Sequence, residues 1–152
     1  MIVSGIEKKV RTGQVQAAVL CLLRKNDQLL VTEGYDRIRE MTYYRPICGN
    51  LEFGEYSWEA ARRILHQYVG HETQELSFIG PVESILTLEE QSVHELFFVF
   101  EVMSGHRDTH RSPLAHETNL PARAVWKSIQ DFRRGQLVLY PEGLLDMLIT
   151  GS

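Results

Sequence analysis

The sequence predicts an α+β fold in which a mixed central sheet is sandwiched between helices. Three observations carry this. The chain has 152 residues with 43% hydrophobic and 24% charged side chains, enough for one compact domain with a real core and room for little else. Its apolar patterns run in the order strands, one amphipathic helix, strands, closing helix. No internal repeat or low-complexity stretch interrupts that order.

The elements follow in turn. Residues 1–13 mix charge with isolated Ile2, Val3, Ile6 and Val10 and read as a lead-in segment or short edge strand. Val15 to Leu23 (VQAAVLCLL) is a nearly continuous apolar run, the pattern of a central strand covered on both faces. Lys25-Asn26-Asp27 supplies a turn and Gln28 to Thr32 a second strand, so the two form a hairpin. Glu33 to Met41 is polar and reads as a surface loop, in which Arg37 and Arg39 are solvated more readily than they bind an anion. Tyr43 to Cys48 is a strand that delivers Gly49.

Pro46 to His71 (PICGNLEFGEYSWEAARRILHQYVGH) reads as a glycine-punctuated loop feeding a helix. Ser57 is placed to cap the first free amides, and Glu59 suits the positive helix start. Helical spacing sets Ala61, Leu65 and Tyr68 on one side with Ile64 and Val69 flanking, and Gly70 supplies a left-handed stop. Glu75 to Leu88 carries a strand signal broken by Gly80-Pro81, which predicts a bulge or bend. A polar turn at Glu89 to His94 then joins it to a strand at Glu95 to Val102. Residues 104–120 form a polar stretch with three histidines, read as a mobile solvated loop because their spacing follows no metal-ligand pattern. Ala124 to Ile129 is a last short strand, followed by one helical turn ended by Gly135 and a closing helix from Leu144.

The order of residues in the glycine-punctuated stretch resembles the Nudix box, with Gly49, Glu55, Arg63, Leu65 and Gly70 in register. The likeness extends from about residue 14 to 149, through CLLRKNDQLLVTEGYD, YYRPICGNLEFGE, HELFFVFEV and LYPEGLLDML. It implies a Nudix-type α/β/α sandwich with one box helix and one C-terminal helix, descended from MutT-like pyrophosphohydrolases. In that family three glutamates on the box helix hold Mg2+ or Mn2+ over a pyrophosphate, so that water attacks and the developing charge is neutralised. Here those positions are Ile64, Gln67 and Tyr68. They stand at i, i+3 and i+4 on one helix face, and a divalent ion there loses up to three formal charges of attraction.

The resemblance implies that Arg63 pairs with Glu55 to lock loop against helix, with Gly70 closing the structural part of the box. Glu95, beside His94, is the best remaining candidate for a catalytic carboxylate together with Glu55; a strand-end salt bridge explains Glu95 equally well. No metal site is expected, and Glu52 and Glu55 are the ligands if there is one. Arg45, at the mouth of the glycine loop, is read either as a phosphate contact or as a strand-edge charge. With Gly49, Ile64, Gln67 and Tyr68 it completes the candidate ligand-binding set, the apolar members lining a pocket where a ring can stack.

Three functions stay open. One is binding of a nucleotide-like or phosphorylated small ligand with weak or no hydrolysis, needing no cofactor. Another is a hydrolase using Mg2+ or Mn2+ through a rearranged carboxylate set of Glu52, Glu55 and Glu95. The third is a non-catalytic homodimer that uses Trp58 or the apolar helix face. The formal charge of -4 and the lack of a basic tract exclude general binding to long nucleic acid, and no apolar run reaches membrane-spanning length. Two cysteines without CxxC or Cys/His spacing read as buried reduced thiols, and the absence of a secretory h-region makes the cytoplasm the expected location.

Overall fold

The structure, a computed structural model, describes residues 13–69, 75–88, 90–103 and 124–150. Strand β1 (Val15–Leu22) is the centre of a seven-stranded mixed sheet in the order β2 (Arg24–Lys25), β3 (Gln28–Asp36), β4 (Met41–Asn50), β1, β6 (Gln91–Val102), β5 (Leu76–Leu88), with β7 (Ala124–Ser128) paired to β3. Its apolar run is explained by neighbours on both sides: antiparallel β4 and parallel β6 (Gln91–Val102), with Ala18 to Cys21 fully buried. Because those two partners occupy both edges of β1, the predicted hairpin with β3 does not form directly. The two-residue β2 (Arg24–Lys25) takes that place, turning through Asn26 at φ 57° into β3.

Strand β3 (Gln28–Asp36) runs past the predicted loop start at Glu33 and pairs with β4 (Met41–Asn50) out to Asp36 and Met41. The segment hid its strand character because the alternate residues that face inward are Thr32, Gly34 and Asp36, not hydrocarbons. Only 37–40 turn. The buried Asp36 carboxylate closes this turn, its Oδ1 accepting from the amides of Ile38 (3.0 Å) and Arg39 (3.1 Å).

Helix α1 (Ser57–Val69) lies on β4 and β1 and buries Ala60, Ala61, Ile64, Leu65 and Tyr68. Ser57 is already its first helical residue. The free amide of Tyr56 is met instead by Glu59, whose Oε1 accepts at 2.9 Å, the return half of a capping box. Gly70 lies outside the described residues, so its predicted role as a stop does too.

Strand β5 (Leu76–Leu88) carries its register shift between Phe78 and Gly80, as the Gly-Pro pair implied, with Gly80 at φ 149°. The hairpin with β6 is tighter than the predicted six-residue turn: Leu88 already pairs with Gln91, and Glu90 takes φ 68°. His94 and Glu95 therefore sit within β6, paired with Ile85 and Ser84. The predicted loop 104–120 lies outside the described residues. Strand β7 (Ala124–Ser128) leads into α2 (Ile129–Arg133), which Ser128 Oγ caps by accepting from the Gln130 amide at 3.2 Å. Gly135, at φ 76°, follows its end, and α3 (Leu144–Thr150) buries Leu144 and Leu148. Among the described residues no helix is long and apolar enough to cross a membrane.

Strand β4 is shared by two groups of strands. Residues 41–46 pair with β3 and residues 47–50 with β1. Although β1 and β6 separate β4 from β5 in strand order, Tyr43 and Arg45 of β4 line the same cavity as Ser84 and Leu86 of β5. The sheet therefore curls over, and a cleft opens between its two parts.

Candidate functional site

The box loop is fastened to α1 by a two-pronged ion pair. Arg63 donates from Nε to Glu55 Oε2 (2.8 Å) and from Nη2 to Glu55 Oε1 (2.9 Å), and Nη2 also reaches the Asn50 carbonyl at 3.0 Å. Glu55 Oε1 accepts further from the Glu52 amide at 3.1 Å. The Arg63 guanidinium, helped by that amide, holds the Glu55 carboxyl below the usual carboxylate range. Both carboxylate oxygens of Glu55 are thus engaged in holding the loop.

Beside this fork, the helix meets the glycine strand at a point of close contact. A Cβ built on Gly49 stands 2.6 Å from Ile64 Cδ1 and 3.0 Å from Cγ1, and Ile64 is only 1% exposed. Gly49 has no positive φ, so the residue is fixed here by space and not by backbone conformation. Tyr68 is 5% exposed and belongs to the same core, while Gln67 faces solvent. Together with Asn50, Glu52 and Arg63 these residues line a depression of about 200 Å³ at the box.

The donor set does not fit a divalent ion cluster. Ile64 offers only hydrocarbon, Tyr68 is buried and Gln67 brings one neutral carbonyl. Glu55 is spent on Arg63 and a backbone amide, leaving the exposed Glu52 as the free carboxylate of the depression. Among the described residues no group of three His, Cys, Asp or Glu side chains is placed to hold a metal ion.

The remaining predicted residues lie elsewhere. Arg45 and Glu95, 4% and 6% exposed, line the cleft between the two parts of the sheet with Tyr43, Ser84, Leu86, Phe97, Tyr140 and Pro141. This cavity shares no lining residue with the depression at the box. The structure thus brings Arg45 together with Glu95, and Gly49 together with Ile64, Gln67 and Tyr68, but not the one set with the other. The rings of Tyr43 and Tyr140 pack at 4.8 Å, and burial pushes the Tyr140 phenol up. His94, next to Glu95, points away to Glu83, with Nε2 and Oε2 at 2.9 Å. Sequence reasoning missed Tyr140 and Asp36; the one available signal was the polar Asp36 amid a strand-like alternation.

The same arrangement of strands and helices recurs in solved structures. The chain superposes on a Nudix hydrolase from Nitrosomonas europaea with a TM-score of 0.57 at 20% identity, covering 90% of this chain and 87% of that one. The ORF135 protein of E. coli gives 0.59 at 15% identity, with 91% and 89% covered. A MutT protein from Bacillus halodurans gives 0.56 at 17% identity, with 90% and 80% covered. The chain has a Nudix fold. At these identities the likeness speaks for the fold and not for an activity. No protein-family model matches the sequence, and a search of curated proteins found no match. Within this Nudix fold both cysteines are free and buried, and burial, reinforced by the nearby Cys48, pushes the Cys21 thiol up.

Proposed function

We propose that this Nudix-fold protein binds a nucleotide-like or phosphorylated small ligand and hydrolyses it weakly or not at all. One observation carries the reading: Ile64 and Tyr68, where the resemblance calls for carboxylates, are part of the hydrophobic core. Without those carboxylates a pyrophosphate loses Lewis-acid activation, ion template and charge neutralisation together. Binding makes smaller demands. Gln67 and Tyr68 give the box depression an amide and a ring, and in the separate cleft Arg45 offers a guanidinium suited to a phosphate or a polar ring edge.

Thermal shift against ATP, ADP-ribose and inorganic pyrophosphate, paired with a phosphate-release assay in Mg2+ or Mn2+, tests this. The expected result is a ligand-dependent rise in Tm, reduced by Gln67→Ala, with turnover orders of magnitude below that of ordinary metal-dependent hydrolases. Brisk metal-dependent turnover abolished by Glu55→Gln and Glu95→Gln overturns it in favour of a rearranged carboxylate site.

A homodimer finds separate support in an exposed aromatic group at the start of α1. Tyr56 (71% exposed) and Trp58 (50%) stack at 6.3 Å, with Arg62 6.0 Å from the Trp58 ring and Phe53 fully exposed nearby. Light scattering of the wild type and of Trp58→Ala decides that point.

A further inference from the structure

Close to the cleft that holds Arg45 and Glu95, one side chain ties the two parts of the curled sheet together. The tie is Arg39, in the turn between β3 and β4. Its Nη1 donates to Asp36 Oδ2 at 2.7 Å within the turn, and to the carbonyl of Thr87 near the end of β5 at 3.0 Å. These two strands are not neighbours, since β1 and β6 lie between β4 and β5 in the sheet. The contact therefore spans from one part of the curled sheet to the other. Thr87 directly follows Leu86, which lines the cleft, and Arg39 interacts electrostatically with Tyr140, which lines it too.

The space inside the cleft is small. It amounts to about 10 Å³, close to the minimum for a single water molecule. Two nearly buried ionisable side chains, two tyrosines and a serine hydroxyl surround a volume that admits no ring or phosphate in this conformation. A larger molecule therefore needs the cleft walls to part, and Arg39 joins the β3–β4 turn to the end of one of those walls, β5.

The bond that resists this is of a kind that can open. The Arg39 side chain is 43% exposed, so water and salt compete for it, whereas Asp36 is fully buried and held by two backbone amides. Asp36 is thus the fixed post, and Arg39 the arm that swings from it.

We propose that Arg39 is a latch: it fastens the β3–β4 turn to β5 and sets the size of molecule that can enter the cleft between the two parts of the sheet. The inference deepens the ligand-binding reading at Arg45, but its test needs no ligand. Native Cys21 and Cys48 are 0% exposed and give little background to thiol reagents. A single cysteine in the cleft wall, Leu86→Cys, then reports access, with Ser84→Cys as a second position should the first not fold. Ile85→Cys, 73% exposed on the alternate side of β5, is the open control.

Rates are measured with a small reagent, methyl methanethiosulfonate, and a bulky one, dithiobis-nitrobenzoate. With Arg39 present, the cleft cysteine should disfavour the bulky reagent about tenfold or more relative to the Ile85→Cys control, as expected for one charge-assisted hydrogen bond. Arg39→Ala and Asp36→Asn should abolish most of that discrimination, 1 M salt should weaken it, and Arg39→Lys should restore part of it. Urea midpoints of the same variants separate opening of the cleft from general loosening, which would speed both reagents alike. Equal size discrimination with and without Arg39 overturns the latch and leaves the ligand-binding reading untouched; a missing nucleotide shift with an intact latch does the reverse.

Discussion

Replacing Gly49 by alanine tests how the box is held together. The added Cβ would stand 2.6 Å from Ile64 Cδ1 and 3.0 Å from Cγ1, well inside the separation of about 3.5–4.0 Å at which carbons attract. Ile64 is 1% exposed and packed in the core, so it has no solvent to swing into. Overpacking of this kind costs about 1–3 kcal/mol. Against it works the lower chain entropy of unfolded alanine, about 0.4–1 kcal/mol. Ile64→Val removes one methyl, the Cδ1 group that makes the closest contact, and by itself costs about 0.5–1.5 kcal/mol. In the valine background, Gly49→Ala should therefore be cheaper by about 1 kcal/mol, while the unfolded-state term is the same on both sides of the cycle and cancels. Urea melts of the four proteins measure this as shifts of the midpoint at constant slope. Additivity within about 0.5 kcal/mol would refute the reasoning and show that the glycine answers to something other than Ile64.

The Glu55–Arg63 fork should contribute about 1 kcal/mol, discounted for the 38% exposure of the Arg63 side chain, and Glu55→Gln should lower the urea midpoint accordingly. Because the folded-state pKa of Glu55 is depressed, that contribution is present above the ordinary glutamate value of about 4.3 and is lost as pH falls through the folded value. The wild type and Glu55→Gln should thus differ at neutral pH and converge in acid; a constant gap would exclude the ion pair as the cause. Ile64→Glu places a carboxylate in the core and should cost about 3 kcal/mol or more, whereas Gln67→Glu, in solvent, should stay within about 0.5 kcal/mol. Restoring glutamate at 64, 67 and 68 together should give a poorly folded protein without a tight Mn2+ signal by electron paramagnetic resonance; a stable, Mn2+-binding triple variant would show that the ion seat survives.

The parts of the fold legible in the sequence are those whose apolar period matches their burial. The run at β1 and the i, i+3, i+4 pattern of Ala61, Ile64, Leu65 and Tyr68 announced a central strand and a helix because both bury hydrocarbon on the expected side. The end of β3 was illegible for the opposite reason: its inward positions are Thr32, Gly34 and Asp36, and Asp36 is tolerated there by its amide and guanidinium partners. Strand pairing was beyond local pattern as well. Nothing in Val15 to Leu23 says that β4 and β6 claim its two edges and leave β3 to a two-residue strand. The candidate site divides in the same way. The fixed spacing of Gly49, Glu55 and Arg63 located the box, but the placing of Arg45 beside Glu95 depends on the curl of the sheet, which no window of sequence contains.

The box and the cleft answer the same energetic problem in opposite ways. Charge held out of water is costly, and well-packed hydrocarbon of similar volume is commonly as stable or more so. At the box, two of the three positions that the family resemblance assigns to carboxylates, Ile64 and Tyr68, are buried hydrocarbon and a buried ring, with Ile64 packed against the Gly49 backbone, and only Gln67 faces solvent. In the cleft, the ionisable side chains of Arg45 and Glu95 are 4% and 6% exposed among Phe97, Leu86 and two tyrosines. On the ligand-binding reading, Arg45 and Glu95 are the polar groups a ligand would meet in the cleft, and the proposed latch at Arg39 would govern when it meets them.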